Sequence, residues 1–113
     1  VVVYFMATWC PYCTEDYKAL SKVYNDYEGK IGFLSISLDL SEDLNLLREY
    51  KKKYPMLQNT MFAAGQANIL SDYKITKTTT KYAINGNGRI IYAGLGVFNE
   101  EQWKILLDEM IRK

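Results

Sequence analysis

The sequence contains no histidine, and it has only two cysteines and two prolines among its 113 residues. Zinc usually takes four cysteine or histidine ligands, so a zinc site here would need carboxylates or a second subunit. We therefore expect neither a metal nor a cofactor. No apolar run approaches the roughly 20 residues that a membrane-spanning helix needs. The net charge is +1, so we expect no binding of this domain to nucleic acid or to a membrane surface.

The remaining composition is that of a folded protein, with 49% hydrophobic and 24% charged residues. The length allows one hydrophobic core, so we expect a single, monomeric domain over residues 1–113. Because the chain begins with Val1 inside an apolar run, without an initiator Met, we interpret it as a fragment of a longer protein. A signal peptide or a membrane anchor would then lie outside this sequence.

Both cysteines lie where an apolar strand gives way to a helix. Residues 1–7 are apolar and predict a buried strand. Pro11 suits the first position of a helix, because no backbone N–H is needed there. Cys10 would then be the N-cap residue at the exposed tip, where unpaired N–H groups and the helix dipole stabilise a thiolate. The thiolate is the nucleophile of disulfide exchange, so the spacing of Cys10 and Cys13 favours a redox-active dithiol.

Two other interpretations of the cysteine pair remain open. The pair could form a structural disulfide, but closing so short a loop stabilises a fold by only about 2 kcal/mol or less. The pair could also contribute to a metal site, which would need ligands that the chain has no further cysteine or histidine to supply. The redox interpretation is the one that the cysteine count and the local context favour.

The rest of the chain predicts alternating helices and strands. Gly29 and Pro55 would each end a helix, and Ser41 would cap the start of one. The predicted elements after the first strand are a helix over residues 11–28, a strand over 31–39, a helix over 41–54, a short helix over 66–73, hairpin strands over 82–84 and 89–94, and a final helix from Asn99. This order predicts an α/β fold in which a four-stranded mixed sheet, a parallel β-α-β unit followed by an antiparallel hairpin, is sandwiched by helices.

The order of elements, with Trp-Cys-x-x-Cys after the first strand, resembles the thioredoxin fold over essentially the whole chain. Residues 5–13 resemble the F-W-A-T-W-C-x-x-C signature of TlpA/ResA-type thiol–disulfide oxidoreductases. The helix over 41–54 stands where that branch carries an inserted element. Residues 73–75 resemble its Y-x-V, and residues 82–90 resemble its F-L-I-D-x-x-G-x-I hairpin.

The resemblance implies roles for the residues of the motif. Cys10 would attack a substrate disulfide, and Cys13 would resolve the mixed disulfide. Trp9 would flank the nucleophile and shape the docking surface, unless it only packs at the start of the helix. Pro11 and Tyr12 would influence the redox poise as the dipeptide between the cysteines. The implied partners are protein thiols or disulfides and a redox partner that donates or accepts electrons.

The chain departs from the family pattern opposite the dithiol. Thr79 stands where the superfamily nearly always has a cis-proline. A cis bond before a non-proline residue costs about 2.5–4 kcal/mol, so we expect a trans bond between Thr78 and Thr79. The Thr78 backbone should still lie close enough to pair with an extended substrate strand. The Thr79 hydroxyl would either hydrogen-bond a Cys10 thiolate or face water.

The acids near the dithiol also differ from those of the family. The TlpA/ResA branch often has Glu three residues after the second cysteine, where this chain has Asp16. Residues i and i+3 share a helix face, so Asp16 could tune the thiols or shuttle protons. Glu15 is the competing candidate, and an exposed helix acid is the alternative. Tyr4 replaces the buried acid of thioredoxins, so the thioredoxin-type proton relay is not expected.

Three functions follow as hypotheses. The first is an enzyme, a protein-disulfide reductase or thiol–disulfide oxidoreductase. The second is a non-enzymatic thioredoxin-like binding module, which the missing cis-proline favours. The third is a glutaredoxin-like, glutathione-dependent reductase, suggested by Cys-Pro-Tyr-Cys but lacking the Thr-Val-Pro and Gly-Gly-x-Asp elements of that family. The absence of further cysteines suits an oxidising compartment, so an extracytoplasmic location is favoured.

Overall fold

The computed structural model of the protein describes residues 1–112. Its centre is a five-stranded mixed sheet with the strand order β3-β2-β1-β4-β5. Strands β1, β2 and β3 are parallel, and β4 pairs antiparallel with both β1 and β5. The strands are β1 (Val2–Met6), β2 (Phe33–Ser37), β3 (Met61–Ala63), β4 (Lys81–Ile84) and β5 (Ile90–Gly94).

Four helices accompany the sheet, and short 3₁₀ turns follow the first two of them. The predicted start of the first helix at Pro11 is confirmed, but its α-helical part ends at Val23 and continues as a 3₁₀ turn. Gly29 then adopts a φ of +82°, which glycine tolerates without steric cost. The helices are α1 (Pro11–Val23), α2 (Leu44–Lys51), α3 (Ala67–Asp72) and α4 (Glu100–Arg112).

The sheet separates two apolar clusters, because side chains alternate between the two faces of a strand. Tyr4 and Met6 of β1 belong to the larger cluster, together with buried residues of α1 and α4. Phe5 points to the other face, where it packs in a smaller cluster with Leu70 of α3. The helix α1 therefore lies on the more extensively packed face. Within residues 1–112, no helix is long and apolar enough to cross a membrane.

The sheet has one strand more than the four that the sequence predicted. The additional strand, β3, has only three residues, and none of them is fully buried. It pairs in parallel with β2, and α2 and a 3₁₀ turn lie in the chain between the two strands. Such a short edge strand leaves no alternating hydrophobic pattern to detect, because its position is fixed by non-local pairing.

The predicted start of α2 was also wrong. The N-cap is Asp43, whose carboxylate accepts the Leu46 N–H at 2.9 Å, and Ser41 lies before the helix. The Ser41 hydroxyl instead donates to Asp39 at 2.6 Å. Ser41 and Asp43 are both suitable N-cap residue types, and the helix starts from the second of them.

Candidate dithiol active site

Cys10 caps the start of α1, as the sequence predicted. Its Sγ accepts a hydrogen bond from the Cys13 backbone N–H at 3.1 Å, and Pro11 follows in the first turn. Both cysteines are free thiols. The expectation of an exposed tip was wrong, however, because Cys10 is only 2% exposed. Its thiol donates to the Thr78 hydroxyl at 3.2 Å, which covers the sulfur from the opposite wall of the site.

Cys13 is fully buried behind Cys10. Burial is the main cause that raises the pKa of Cys13 to about 12, and the hydrogen bond with Cys10 adds to the increase. The Tyr4 hydroxyl acts in the opposite direction on this pKa. The Cys13 thiol is therefore protonated at neutral pH and needs a proton acceptor before it can act as a nucleophile.

Asp16 lies in the interior with its carboxylate behind the dithiol, so the alternative of an exposed helix acid was wrong. Burial raises the pKa of Asp16, and hydrogen-bond donors around the carboxylate oppose that increase. Tyr4 Oη donates to Oδ2 at 2.5 Å, the Phe98 N–H donates to Oδ1 at 2.7 Å, and Lys81 Nζ donates to Oδ2 at 3.0 Å. The competing candidate, Glu15, is exposed on the outer face of α1. The site thus contains a buried acid, although it comes from α1 and not from β1.

Lys81, at the start of β4, lies beside Asp16 in the candidate site, and the sequence analysis missed it. Its side chain is fully buried and forms an ion pair with Asp16. The ammonium group also lies 5.0 Å from the centre of the Tyr4 ring, 4.7 Å from that of Phe98 and 5.5 Å from that of Trp103. The sequence held only a weak signal, since Lys81 lies two residues before the apolar Ala83 and would share its face if the strand began one residue earlier than predicted.

Thr79 has an unusual backbone conformation at the position of the family's proline. Its φ is +66°, a value that is rare for a β-branched residue, and no peptide bond within residues 1–112 is cis. Its N–H donates to the Phe5 carbonyl at 2.8 Å, and its hydroxyl accepts the Gly96 N–H at 3.1 Å. Neither expected role of the Thr79 hydroxyl is therefore correct: Thr78 makes the contact with Cys10, and Thr79 is buried and does not face water.

An apolar groove of about 500 Å³ runs beside the dithiol. Trp9 and Tyr12 form one of its walls and are 63% and 65% exposed, so Trp9 does not simply pack against the start of the helix. The Trp9 indole N–H donates to Asp39 Oδ2 at 2.7 Å, which fixes the orientation of the ring. The other lining residues are Leu38, Thr76, Lys77, Thr78, Thr79, Leu95, Gly96 and Val97.

Glu42 holds the turn that carries the dithiol. Its buried carboxylate accepts the Thr8 backbone N–H at 3.0 Å and the Ser37 hydroxyl at 2.6 Å, and it also accepts the Thr8 hydroxyl. Thr8 lies between β1 and Cys10. The loop before α2 therefore fixes the position of the turn that carries the dithiol.

The comparisons with known proteins agree with this architecture. The model described as "AhpC/TSA family" matches residues 1–93. Among curated proteins, the "Thioredoxin-like protein YneN" of Bacillus subtilis (strain 168) is 24% identical over 111 residues, which are 96% of this chain. This chain spans 64% of the length of YneN.

Two solved structures show how closely the backbone follows the expected fold. A thiol:disulfide interchange protein of the thioredoxin family from Chlorobium tepidum TLS matches with a TM-score of 0.80 at 18% identity, over 97% of this chain and 78% of the other. An exposed lipoprotein thioredoxin from Streptococcus pneumoniae strain TIGR4 matches with a TM-score of 0.72 at 14% identity, over 96% and 82%. The thioredoxin fold predicted from the sequence is confirmed.

Proposed function

This chain belongs to the AhpC/TSA family, and from that premise we propose that it exchanges its Cys10–Cys13 dithiol with the disulfides of protein substrates. One observation carries the proposal: Cys10 Sγ caps α1 and accepts the Cys13 N–H at 3.1 Å. A sulfur at this position receives a backbone donor and the positive end of the helix dipole, and both favour its negatively charged form.

The reaction takes place in two exchanges of thiolate for disulfide. Cys10 attacks one sulfur of the substrate disulfide, and the other substrate sulfur leaves as a thiolate that takes up a proton. Cys13 then loses its proton and attacks Cys10 of the mixed disulfide, which releases the second substrate thiolate. The dithiol becomes the Cys10–Cys13 disulfide, and the substrate gains two electrons. A redox partner restores the dithiol, and the same steps run in reverse when that partner is an oxidant.

Asp16 is the proton acceptor that the second exchange requires. The Cys13 thiol has a pKa of about 12, and its deprotonation at neutral pH is therefore unfavourable without a base. Burial raises the pKa of Asp16, which brings a carboxylate closer to the range in which a general base works best. Its position three residues after Cys13 places the two side chains on one face of α1.

The groove beside the dithiol is the proposed substrate-docking surface. Trp9 and Tyr12 would contact apolar side chains of an extended substrate segment. The Thr79 N–H is already bonded to Phe5, so the backbone available for pairing with substrate belongs to Thr78. Thr79 contributes by holding the loop through Gly96. Pro11 and Tyr12, between the two cysteines, would set the redox poise.

The test of the proposal is reduction of a protein disulfide by the reduced protein, with Cys10→Ser as the decisive variant. We predict that the wild type reduces the substrate and that Cys10→Ser loses this activity, because Cys13, the one other cysteine, is fully buried and cannot reach a substrate disulfide. Met56→Leu, an exposed substitution far from the dithiol in sequence, serves as the control and retains full activity. Undiminished reduction by Cys10→Ser would contradict the proposal.

A second candidate function is a thioredoxin-like binding module without catalysis, which the low exposure of Cys10 favours. Repeated cycling between the dithiol and the disulfide in the presence of a chemical reductant separates the two functions. An enzyme cycles at a rate that depends on Cys10. A binding module does not cycle, and it binds its partner equally well in both redox states.

We also propose an extracytoplasmic location. The support is that one structural neighbour is described as an exposed lipoprotein thioredoxin. Labelling of Cys10 by a thiol reagent that does not cross membranes, applied to intact cells, tests this location.

A further inference from the structure

Lys81 is a charged side chain at 0% exposure, and all the donors of its ammonium group are used. Nζ donates to Asp16 Oδ2 at 3.0 Å, to the Thr79 carbonyl at 3.1 Å and to the Gly96 carbonyl. Burying an ammonium group is unfavourable unless it is paired and hydrogen-bonded, and here its three donors meet three acceptors. This set of three acceptors stabilises the charged, protonated form of the Lys81 side chain.

The three acceptors come from three segments that surround the dithiol. Asp16 belongs to α1, Thr79 to the loop before β4, and Gly96 to the loop before α4. Thr79 directly follows Thr78, whose hydroxyl accepts a hydrogen bond from the Cys10 thiol. Lys81 therefore holds together the acid behind the dithiol and the loops that form the opposite wall.

Tyr4 connects this ion pair to the resolving cysteine. Its hydroxyl donates to Asp16 Oδ2 at 2.5 Å, and it also interacts with the Cys13 side chain. The ionisable groups that face Lys81 are Asp16, Cys13 and Cys10 from α1 and its N-cap, and Tyr4 from β1. The elements on the remaining sides contribute the Phe98 and Trp103 rings, which carry no ionisable group.

We propose that Lys81 is a positioning residue that keeps Asp16 in its carboxylate form, so that Asp16 receives the Cys13 proton through Tyr4. This inference rests on the proposed function. In the resolving step, the Tyr4 hydroxyl passes its proton to Asp16 and takes the proton of Cys13. The Cys13 thiolate then forms a bond with Cys10 Sγ, and the bond between Cys10 and the substrate sulfur breaks. The electron pair leaves with the substrate thiolate, so protons and electrons balance.

Lys81→Met tests this role because it removes the ammonium group and retains much of the buried length of the side chain. Without the cation, Asp16 remains buried beside Tyr4 and Phe98 and takes up a proton itself. Since losing one partner of a buried ion pair destabilises a fold, Tyr4→Phe provides a second variant that leaves the pair intact. Lys18→Met, an exposed substitution on α1, is the matched control.

The readout is stopped-flow reaction of the reduced protein with a chromogenic aromatic disulfide over a range of pH. The first release of aryl thiolate reports attack by Cys10, and the second reports resolution by Cys13. At neutral pH we expect the second release to slow by about tenfold or more in Lys81→Met and in Tyr4→Phe, within the range of general acid–base effects. The pH midpoint of the second release moves upward in Lys81→Met only. The first release stays within about twofold of wild type in Lys81→Met and in Tyr4→Phe. In Lys18→Met both releases stay within about twofold of wild type.

The outcomes separate the two proposals. A normal first release with a second release unchanged in Lys81→Met or in Tyr4→Phe overturns the role of Lys81 and leaves the proposed function standing. Equal slowing of both releases at every pH also overturns it, because a general loss of structure would act in that way. If the wild type gives no first release, the proposed function itself has failed.

Discussion

Asp16 and Lys81 show how one ion pair can be retained in the interior of a small domain. Desolvation raises the pKa of Asp16 and lowers that of Lys81, and each partner opposes the shift of the other. The carboxylate receives donors from Tyr4 and Phe98 in addition to Lys81. A buried pair with such complete hydrogen bonding is compatible with stability, whereas removing one partner typically costs about 3–5 kcal/mol.

The raised pKa of Asp16 has a consequence for the pH dependence of stability. The folded state binds this proton more tightly than the unfolded state, in which the pKa is near 3.8. The stability contributed by protonated Asp16 is therefore fully present below that pH and is lost as the pH rises through the folded-state pKa. We predict that the unfolding free energy of the wild type minus that of Asp16→Asn falls from acid to neutral pH.

Chemical denaturation over this pH range measures the difference. Loss of the carboxylate also lowers the pKa of Lys81 further in the variant, which changes the difference in the same direction. Asp72→Asn, at an exposed position in α3, is the control for the substitution itself. A difference that grows in favour of the wild type as the pH rises would contradict the direction given for Asp16.

The turn between β1 and α1 depends on an element that is distant in sequence. Glu42, before α2, accepts hydrogen bonds from Thr8 and Ser37, and Asp39 orients Trp9. Both acids follow β2, the parallel neighbour of β1, so they lie at the same edge of the sheet as the dithiol. The carboxyl ends of neighbouring parallel strands are where α/β folds commonly build their sites.

Glu42→Ala tests the contribution of this loop. The substitution leaves the Thr8 N–H, the Thr8 hydroxyl and the Ser37 hydroxyl without their acceptor, so we predict a loss of about 2–4 kcal/mol in the free energy of unfolding. Glu49→Ala, which removes an exposed acid of α2, should change it by less than about 0.5 kcal/mol. Urea denaturation of the two variants provides the comparison, and equal effects would show that Glu42 does not hold the turn.

Elements with local signals could be predicted from the sequence, and elements fixed by distant contacts could not. Pro11 marks the start of α1, and Asn99 accepts the Gln102 N–H at 2.8 Å at the start of α4, as its sequence position indicated. The hairpin between β4 and β5 follows from its Asn-Gly turn. Strand β3 depends on its pairing with β2, which no local pattern encodes, and the choice of Asp43 over Ser41 as the cap of α2 could not be made from residue type alone.

The same distinction applies to the site. Cys10 and Cys13 could be recognised as candidate site residues from the sequence, because the signal is local: two residues separate them, and they lie at the start of one predicted helix. The burial of Asp16 and Lys81 requires β1, β4 and the loop before α4 to meet, and Lys81 looked like one more polar residue in a threonine-rich segment. The hydroxyl next to Cys10 belongs to Thr78 and not to Thr79. Thr79 has a φ of +66°, and its own hydroxyl accepts the Gly96 N–H.

On the scale of the whole molecule, the sheet carries the site at the point where strand order reverses. The chain leaves β1 for β2 on one side and later returns to β4 on the other. The helix α1, its N-cap and the loop before β4 therefore converge at the end of β1. The groove beside Cys10 has the same origin, because its walls come from both sides of this switch point.

The most direct test of the central claim is peptide mapping by mass spectrometry after Cys13→Ser has reacted with an oxidised peptide. Without Cys13, the mixed disulfide cannot be resolved, and we predict a stable adduct at Cys10 that carries one peptide chain and is released by reductant. Recovery of Cys10 as a free thiol, with no adduct under conditions in which the wild type becomes oxidised, would contradict the account.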